Sequence, residues 1–323
     1  MAGISLDLEL LVAKRTDETK DIVALELVSR SGDNLPPFTA GAHIDVQVPG
    51  GPVRQYSLCN EPGVGKTYAL GILRDPVSRG GSLGIHEHVQ EGSLLQVSEP
   101  RNHFPLDESA QHSILLAGGI GVTPILCMAR RLSALEHSFE MHYCTRSSES
   151  TAFIESIAAS TFGDKVHHHF DDGGQEQLLD IPGLLAAPRD GVHVYVCGPG
   201  GFMDAVLGAA RTAGWPEEQL HSEFFSAEVG VKEDDGNFQI ELAKSGKTVT
   251  VAADQTAVDA LAAAGVDVPV SCEQGVCGTC LMTVLEGEPD HRDMYLTPDE
   301  QAANNQFTPC CSRSNTAVLV VDA

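Results

Sequence analysis

The sequence predicts a multi-domain protein: an all-β barrel, then an α/β unit on a parallel sheet, then a small α+β unit. Three observations predict it. Residues 1–107 carry short β-branched segments separated by Gly/Pro turns. From about Ser113, apolar strands alternate with helical stretches, the pattern of a parallel sheet. Five of the nine cysteines fall at or after residue 272, beyond a polar, charged stretch at 227–236 that has the composition of a linker.

Size and composition agree. A chain of 323 residues and 34.2 kDa has room for two or three domains, and 42% hydrophobic residues supply their cores. No apolar run approaches the roughly 18 residues that a membrane helix needs. The start, Met1-Ala-Gly-Ile-Ser-Leu-Asp7, lacks the basic and apolar regions of a secretion signal, so a cytoplasmic location without membrane attachment is expected. Twenty Lys and Arg against 45 Asp and Glu, a net charge of −25, argue against nucleic acid as a partner. Without a secretion signal, clustered cysteines indicate metal binding rather than disulfides.

In the first unit, Ile22–Val28 and His43–Val48 are predicted strands, with turns at Asn34-Leu-Pro-Pro37 and Pro49-Gly-Gly-Pro52. Within Arg54-Gln-Tyr-Ser-Leu58 an arginine, an aromatic ring and a hydroxyl are expected on one strand face. Such a face can stack a ring and hydrogen-bond a polar heterocycle, although an ordinary half-buried strand looks the same. Arg79-Gly-Gly-Ser82 is a Gly-rich turn of the kind that offers N–H groups and a hydroxyl to a phosphate, or simply a turn.

In the second unit the strand Ile114–Ala117 runs into Gly118-Gly-Ile-Gly-Val-Thr-Pro124 and a helix to about Leu135. That placement aims a helix N-terminus at an anion. Pro124 stands where a dinucleotide fingerprint has its third glycine, but proline in the first turn costs no hydrogen bond. A strand at Glu140–Thr145, a helix near Ala152–Ala159 and a strand at Val192–Cys197 follow. A second βα turn, Val196-Cys-Gly-Pro-Gly200, then opens a helix through about Ala213. In Val166-His-His-His-Phe170 adjacent histidines point to opposite faces, which argues against a metal site made of the three.

The third unit begins with a hairpin, Phe238–Val251 around Lys244-Ser-Gly246. A helix at Thr256–Ala264, the cysteine loop and a closing strand at Ala317–Val321 complete it. Cys272-x4-Cys277-x2-Cys280, with Cys310 thirty residues on, has the plant-type [2Fe–2S] spacing. Gly275 and Gly278 let the backbone wrap a cluster closely. Structural zinc usually shows two short cysteine pairs, whereas here three ligands are local and one is remote. Cys310 and Cys311 compete for the fourth position, and spacing favours Cys310.

Taken in order, Arg54-x-Tyr-Ser-Leu58, Gly80-Gly-Ser82, Gly118–Pro124, Tyr195-Val-Cys-Gly-Pro199 and the cysteine loop resemble the phthalate dioxygenase reductase family. The resemblance covers essentially the whole chain. Asp290-His-Arg-Asp-Met294 and Thr308-Pro-Cys-Cys-Ser-Arg313 are similar to its vanillate O-demethylase branch. It implies a flavin-binding β-barrel (1–107), a nicotinamide-binding α/β domain (108–226), a linker (227–236) and a ferredoxin-like β-grasp domain (237–323).

The implied site residues are these. Arg54, Gln55, Tyr56 and Ser57 contact FMN, and Gly80, Gly81 and Ser82 its phosphate. Thr123 approaches the isoalloxazine, and Phe225 covers the ring face where nicotinamide lands, unless it is only a domain-edge aromatic. Cys197 lies near the nicotinamide, unless it is a buried inert thiol; with Thr123 and Phe225 it makes up the expected catalytic set. Gly118, Gly119, Gly121, Gly198, Pro199, Arg146 and Asp172 are expected to bind the dinucleotide. FMN in place of FAD follows from the resemblance alone. NADH is expected over NADPH because Asp171 and Asp172, near Arg146, suit a free ribose diol and repel a 2′-phosphate; an exposed turn would explain them equally.

The implied function is the reductase component of a multicomponent, Rieske-type aromatic oxygenase, passing electrons from NADH through FMN to the cluster and on to the oxygenase. The alternatives are a reductase for a non-aromatic oxygenase, and a redox carrier or sensor without turnover.

Overall fold

The computed structural model describes residues 5–76, 80–225 and 235–323. The chain divides into two compact units, one of Leu6–Glu223 and a C-terminal one whose described residues are 224–225 and 235–323, joined by Ser5.

The first unit opens with six main strands: β1 (Leu8–Asp17), β2 (Ile22–Ser29), β3 (Ala42–Gln47), β4 (Val53–Ser57), β5 (Thr67–Leu73) and β6 (Leu94–Val97). Their order is β4-β3-β6-β1-β2-β5, antiparallel throughout. A bridge between Leu58 and Leu70 joins the two ends and closes the barrel, and the Cys59 N–H donates to Ala69 O at 2.9 Å. The two-residue period sends Leu25, Leu27, Ile44, Val46, Leu58 and Leu70 into a core from which water is excluded. Helix α1 (Gly81–His88) lies between β5 and β6 in the chain.

The same unit continues into a five-stranded parallel sheet. Its strands are β7 (His112–Gly118), β8 (Phe139–Thr145), β9 (Val166–Phe170), β10 (Val192–Cys197) and β11 (Leu220–Glu223), in the order β9-β8-β7-β10-β11. Residues Ser113–Gly118 of the central strand are all buried, as a parallel strand covered on both faces requires. Helix α2 (Val122–Ala134) follows β7, and α3 (Gly200–Thr212) follows β10. The order reverses between β7 and β10, the switch point where such sheets take ligands at their C-terminal ends. Helix Ile154–Ala158 is shorter than expected because Phe153, at φ 60°, breaks it at its start.

The C-terminal unit is a mixed sheet with one packed helix. Strands β12 (Phe238–Leu242), β13 (Lys247–Val251), β14 (Met282–Glu286), β15 (Gln306–Phe307) and β16 (Val318–Val321) take the order β13-β12-β16-β14-β15, with β12 and β16 parallel. Helix α4 (Ala257–Ala263) starts at Thr256, whose hydroxyl accepts the Asp259 N–H at 3.1 Å. Ile240, Val251, Leu261, Phe307, Leu319 and Val321 form its dry core. This is the β-grasp arrangement.

Residues 227–234 of the expected linker lie outside the described residues. Its last two, Asp235 and Gly236, are not linker: they are bound into the C-terminal unit. The buried Asp235 carboxylate pairs with Arg292, whose Nη1 donates to Oδ2 at 2.9 Å, and Arg313 Nη2 donates to Gly236 O at 3.0 Å. Composition alone marked them as linker because their partners lie some 57 to 77 residues away. Among the described residues no helix is long and apolar enough to cross a membrane.

Candidate functional site

Arg54 on β4 is buried, with Nη1 donating to its neighbour Val53 O at 2.7 Å. Gly81 approaches it so closely that a Cβ there would stand 2.9 Å from Arg54 Cγ and 3.1 Å from Nε. Gly80, at φ 85°, starts α1 with no side-chain cap. A buried guanidinium therefore lies against a helix start whose Gly80 offers no side-chain cap, so positive charge and a helix N-terminus meet in one place that favours an anion. The Ser82 hydroxyl accepts the Asp75 N–H at 3.0 Å. Arg79 lies outside the described residues.

Tyr56 shares its strand face with Arg54. Its buried hydroxyl has no hydrogen-bond partner among the described residues, and burial pushes the phenol up. A buried hydroxyl left unpaired is costly unless a ligand completes it. These residues fit a flat polar heterocycle that carries a phosphate.

Ser57 departs from the expectation of one shared face. It directly follows Tyr56, so the strand period turns it, with Gln55, to the opposite face. There its hydroxyl donates to Glu223 Oε2 at 3.2 Å. Glu223 ends β11, level with Cys197 at the end of β10. Burial pushes the Glu223 carboxyl up to about 8, with the Ser57 hydroxyl opposing. Burial and then the Glu223 charge raise the Cys197 thiol well above its usual range, and Cys197 has no exposed surface. Sequence reasoning missed Glu223, since a single carboxylate 166 residues from Ser57 has no pattern to find.

The two glycine loops pack against each other at the switch point. A Cβ on Gly121 would overlap the carbonyl group of Cys197, and one on Gly118 would stand 2.8 Å from Phe202 and 2.9 Å from Pro199. Gly198 faces Gly118 in the same way. Gly119, Gly200 and Gly201 instead have open space around them. So three glycines hold the loops together, and the others leave the helix start uncovered. Buried Thr123 donates its hydroxyl to Ile120 O at 3.1 Å.

Gly71 of β5 was also not singled out from sequence. A Cβ there would meet Thr123 Cγ2 at 2.8 Å and the Phe153 ring at 2.9 Å, and the Phe153 N–H donates to Glu18 of the barrel at 2.8 Å. Farther out, the Asp172 N–H donates to Arg146 O at 3.1 Å, which brings these two exposed residues together where β8 and β9 end. Phe225, just past β11, is half-buried.

In the C-terminal unit the cysteines come together as two pairs. The Cys272 thiol is in hydrogen-bond contact with Cys277, and that contact holds Cys277 below its usual range. The Cys280 and Cys310 thiols are likewise in hydrogen-bond contact, and burial adds to the upward push on Cys310. Backbone N–H groups of Gln274 and Thr279 point at the sulfurs of Cys272 and Cys277, at 3.3 and 3.5 Å. Among the described residues no three metal-ligand side chains converge on one point. Two pairs are what two irons need, one pair each, and the N–H donors suit sulfur that carries negative charge. Cys311 packs beside Cys310, with its sulfur in hydrogen-bond contact with the Cys310 thiol and 3.2 Å from the Thr308 hydroxyl. Gly278, at φ 67°, lies under the Tyr295 ring, so any side chain there would collide with it.

The [2Fe–2S] cluster-binding domain model matches residues 240–315, and the N-terminal domain model of dimethylamine monooxygenase subunit DmmA-like proteins matches 97–220. A vanillate O-demethylase oxidoreductase of Pseudomonas sp. (strain HR199 / DSM 7063) is 52% identical over 315 residues, 98% of this chain and 99% of its own. The structure of phthalate dioxygenase reductase superposes with a TM-score of 0.80 at 39% identity, covering 98% of both chains.

The chain belongs to the phthalate dioxygenase reductase family. It is an oxidoreductase that uses NADH, FMN and a [2Fe–2S] cluster, and it is the reductase component of a multicomponent oxygenase. A third relative of similar length is the reductase subunit of a tert-butanol monooxygenase / tert-amyl alcohol desaturase from Aquincola tertiaricarbonis, 42% identical over 98% of this chain and 96% of its own. The reductase family thus serves oxygenases of differing substrates.

Proposed function

We propose that this reductase supplies a separate Rieske-type oxygenase acting on an aromatic acid or aryl ether, in the cytoplasm, where NADH is made and free thiols persist. The observation that carries the reading is the pairing of the four cysteines two by two, in a chain that also holds the Arg54–α1 cradle and the paired glycine loops. The 52% identity to a vanillate O-demethylase oxidoreductase favours an aryl ether. The tert-butanol relative favours the second reading, a non-aromatic oxygenase.

When bound, FMN would supply the chemistry that links a two-electron hydride donor to a one-electron carrier. Arg54, Gly80, Gly81 and Ser82 would hold its phosphate, and Gln55, Tyr56 and Ser57 its ring. Thr123, Cys197 and Phe225 would shape the space shared with nicotinamide; a buried Cys197 does so by bulk, not as a nucleophile. Gly118, Gly119, Gly121, Gly198 and Pro199 would admit the pyrophosphate, with Arg146 and Asp172 at the ribose. Cys272 and Cys277 would bind one iron, Cys280 and Cys310 the other. The domain limits 1–107, 108–226 and 237–323 complete the reading.

Reconstitution with vanillate-type and tertiary-alcohol oxygenases separates the two substrate readings: coupled product should form only with the first. The cluster assignment has its own test. Cys310→Ser should lose the iron–sulfur absorbance yet keep NADH-dependent flavin bleaching, while Cys311→Ser keeps both. Full cluster content in Cys310→Ser would overturn it.

A further inference from the structure

On the outer strands β8 and β9, away from the glycine loops, a second group of side chains makes a demand that the reductase chemistry does not explain. Glu140, His142 and Cys144 alternate along one face of β8. His167 and His169 lie on the same face of β9, with His167 level with His142 and His169 level with Cys144. The His167 ring stacks on His142 at 5.0 Å. His142 is only 8% exposed.

The hydrogen bonds settle where the ring protons are. His142 Nε2 lies 3.3 Å from Glu140 Oε2, and His169 Nδ1 lies 3.0 Å from Gln177 O. A carboxylate and a carbonyl can only accept, so each of these nitrogens carries its ring's proton. The two remaining nitrogens, His142 Nδ1 and His169 Nε2, face each other at 3.0 Å. In these tautomers two lone pairs are opposed, and something positive must stand between them.

A proton is the simplest occupant, and Glu140 favours it. The burial of His142 disfavours it, because a charged ring there would lose its hydration. Glu140 is moreover shared with His112 at 3.3 Å and Arg189 at 3.9 Å, which spends part of its charge elsewhere. A metal ion fits the geometry. With metal–nitrogen bonds of 2.0–2.1 Å, two imidazoles at a tetrahedral angle stand about 3.3 Å apart, so a few tenths of an ångström of spreading suffices. Glu140 would then be the carboxylate that orients a metal-bound histidine from behind.

We propose that His142 Nδ1 and His169 Nε2 form a binding site for a divalent transition-metal ion of the zinc class, with water completing the coordination. Since no three such side chains converge among the described residues, the two imidazoles would be the ion's protein ligands. Cys144, level with His169, occupies the register position from which a thiolate would join. The other histidine pair of this sheet makes no such demand. His193 Nδ1 and His221 Nε2 are 2.8 Å apart, but His193 Nε2 stands 3.8 Å from Asp107, too far to fix its proton. An ordinary N–H···N bond satisfies that pair.

The test uses the holoenzyme, with its cluster cysteines already occupied. Zn²⁺ is titrated by calorimetry, and Co²⁺ by visible absorption. One saturable site is expected. It should weaken at least tenfold in His142→Ala and in His169→Ala, about tenfold in Glu140→Gln, and not at all in His193→Ala. NADH reduction of the flavin should be unchanged in all four. Absence of saturable binding, or binding that survives both the His142 and His169 variants, overturns the proposal. So does a ¹⁵N spectrum in which one of these two imidazoles stays protonated on both nitrogens with Zn²⁺ present.

Discussion

Glu223→Gln should stabilise the protein at alkaline pH and leave it nearly unchanged in acid. The reason is the carboxyl at the end of β11, pushed up to about 8 from an ordinary 4.5 mainly by burial. Between pH 4.5 and about 8 the unfolded chain gives up this proton while the folded chain keeps it, so folding takes up a proton and stability falls as pH rises. The contribution is fully present below pH 4.5 and lost by the time pH passes about 8. Each pH unit is worth about 1.4 kcal/mol, which over this window allows at most about 5 kcal/mol. Glu223 is half-buried rather than sealed, and solvent screening brings the expected loss to about 2–3 kcal/mol.

Glutamine keeps the shape and a hydrogen-bond partner for Ser57 but cannot ionise. Denaturant unfolding of both proteins at pH 5, 7 and 9 checks the argument. The advantage of the Glu223→Gln protein should be near zero at pH 5 and greatest at pH 9. Ser57→Ala should deepen the wild-type fall and carry it to higher pH, because it removes a contact that favours the charged form. A difference between wild type and Glu223→Gln that is flat across pH would refute the reasoning.

Three further outcomes follow from the packing. Gly121→Ala should cost about 1–3 kcal/mol in denaturant and raise the KM for NADH, because its Cβ drives into the Cys197 carbonyl and spreads the two loops. Arg292→Ala should cost about 3–5 kcal/mol in the C-terminal unit by leaving the buried Asp235 carboxylate without its main partner; loss of cluster absorbance on heating reports it. The chain from Gly236 on carries twelve Asp and Glu against four Lys and Arg. Oxygenase-coupled turnover at sub-saturating partner should therefore fall as salt rises, since screening sets in over about 10 Å at 0.1 M, while NADH reduction of the flavin stays flat. A flat or rising coupled rate would point to an apolar contact instead.

Much of the architecture is legible in the chain because its signals are local. A strand's period, a glycine turn before a helix, or three cysteines within nine residues can each be read without knowing what lies across the core. The hairpin at Phe238–Val251 and strands β8 and β10 fall where their patterns place them, within a residue or so. Strand β11 escaped because Leu220–Glu223 is short, half-buried and polar, and is held as a strand only by its register with β10. The fragment Asp235-Gly236 looked like linker because salt bridges have no sequence period.

The sequence by itself determined the order of the three modules, the cluster ligand spacing and the class of chemistry, since those rest on residue type and short spacing. Only the tertiary structure decided what meets across long separations. It closed the barrel through Leu58 and Leu70, and set Ser57 on Glu223 rather than beside Tyr56. It turned Gly118, Gly121 and Gly198 into a packing contact between loops, and brought His142 Nδ1 within 3.0 Å of His169 Nε2. Each of these depends on where a strand ends against its neighbour. That position is set by the summed burial of the whole core, and no local run of residues encodes it.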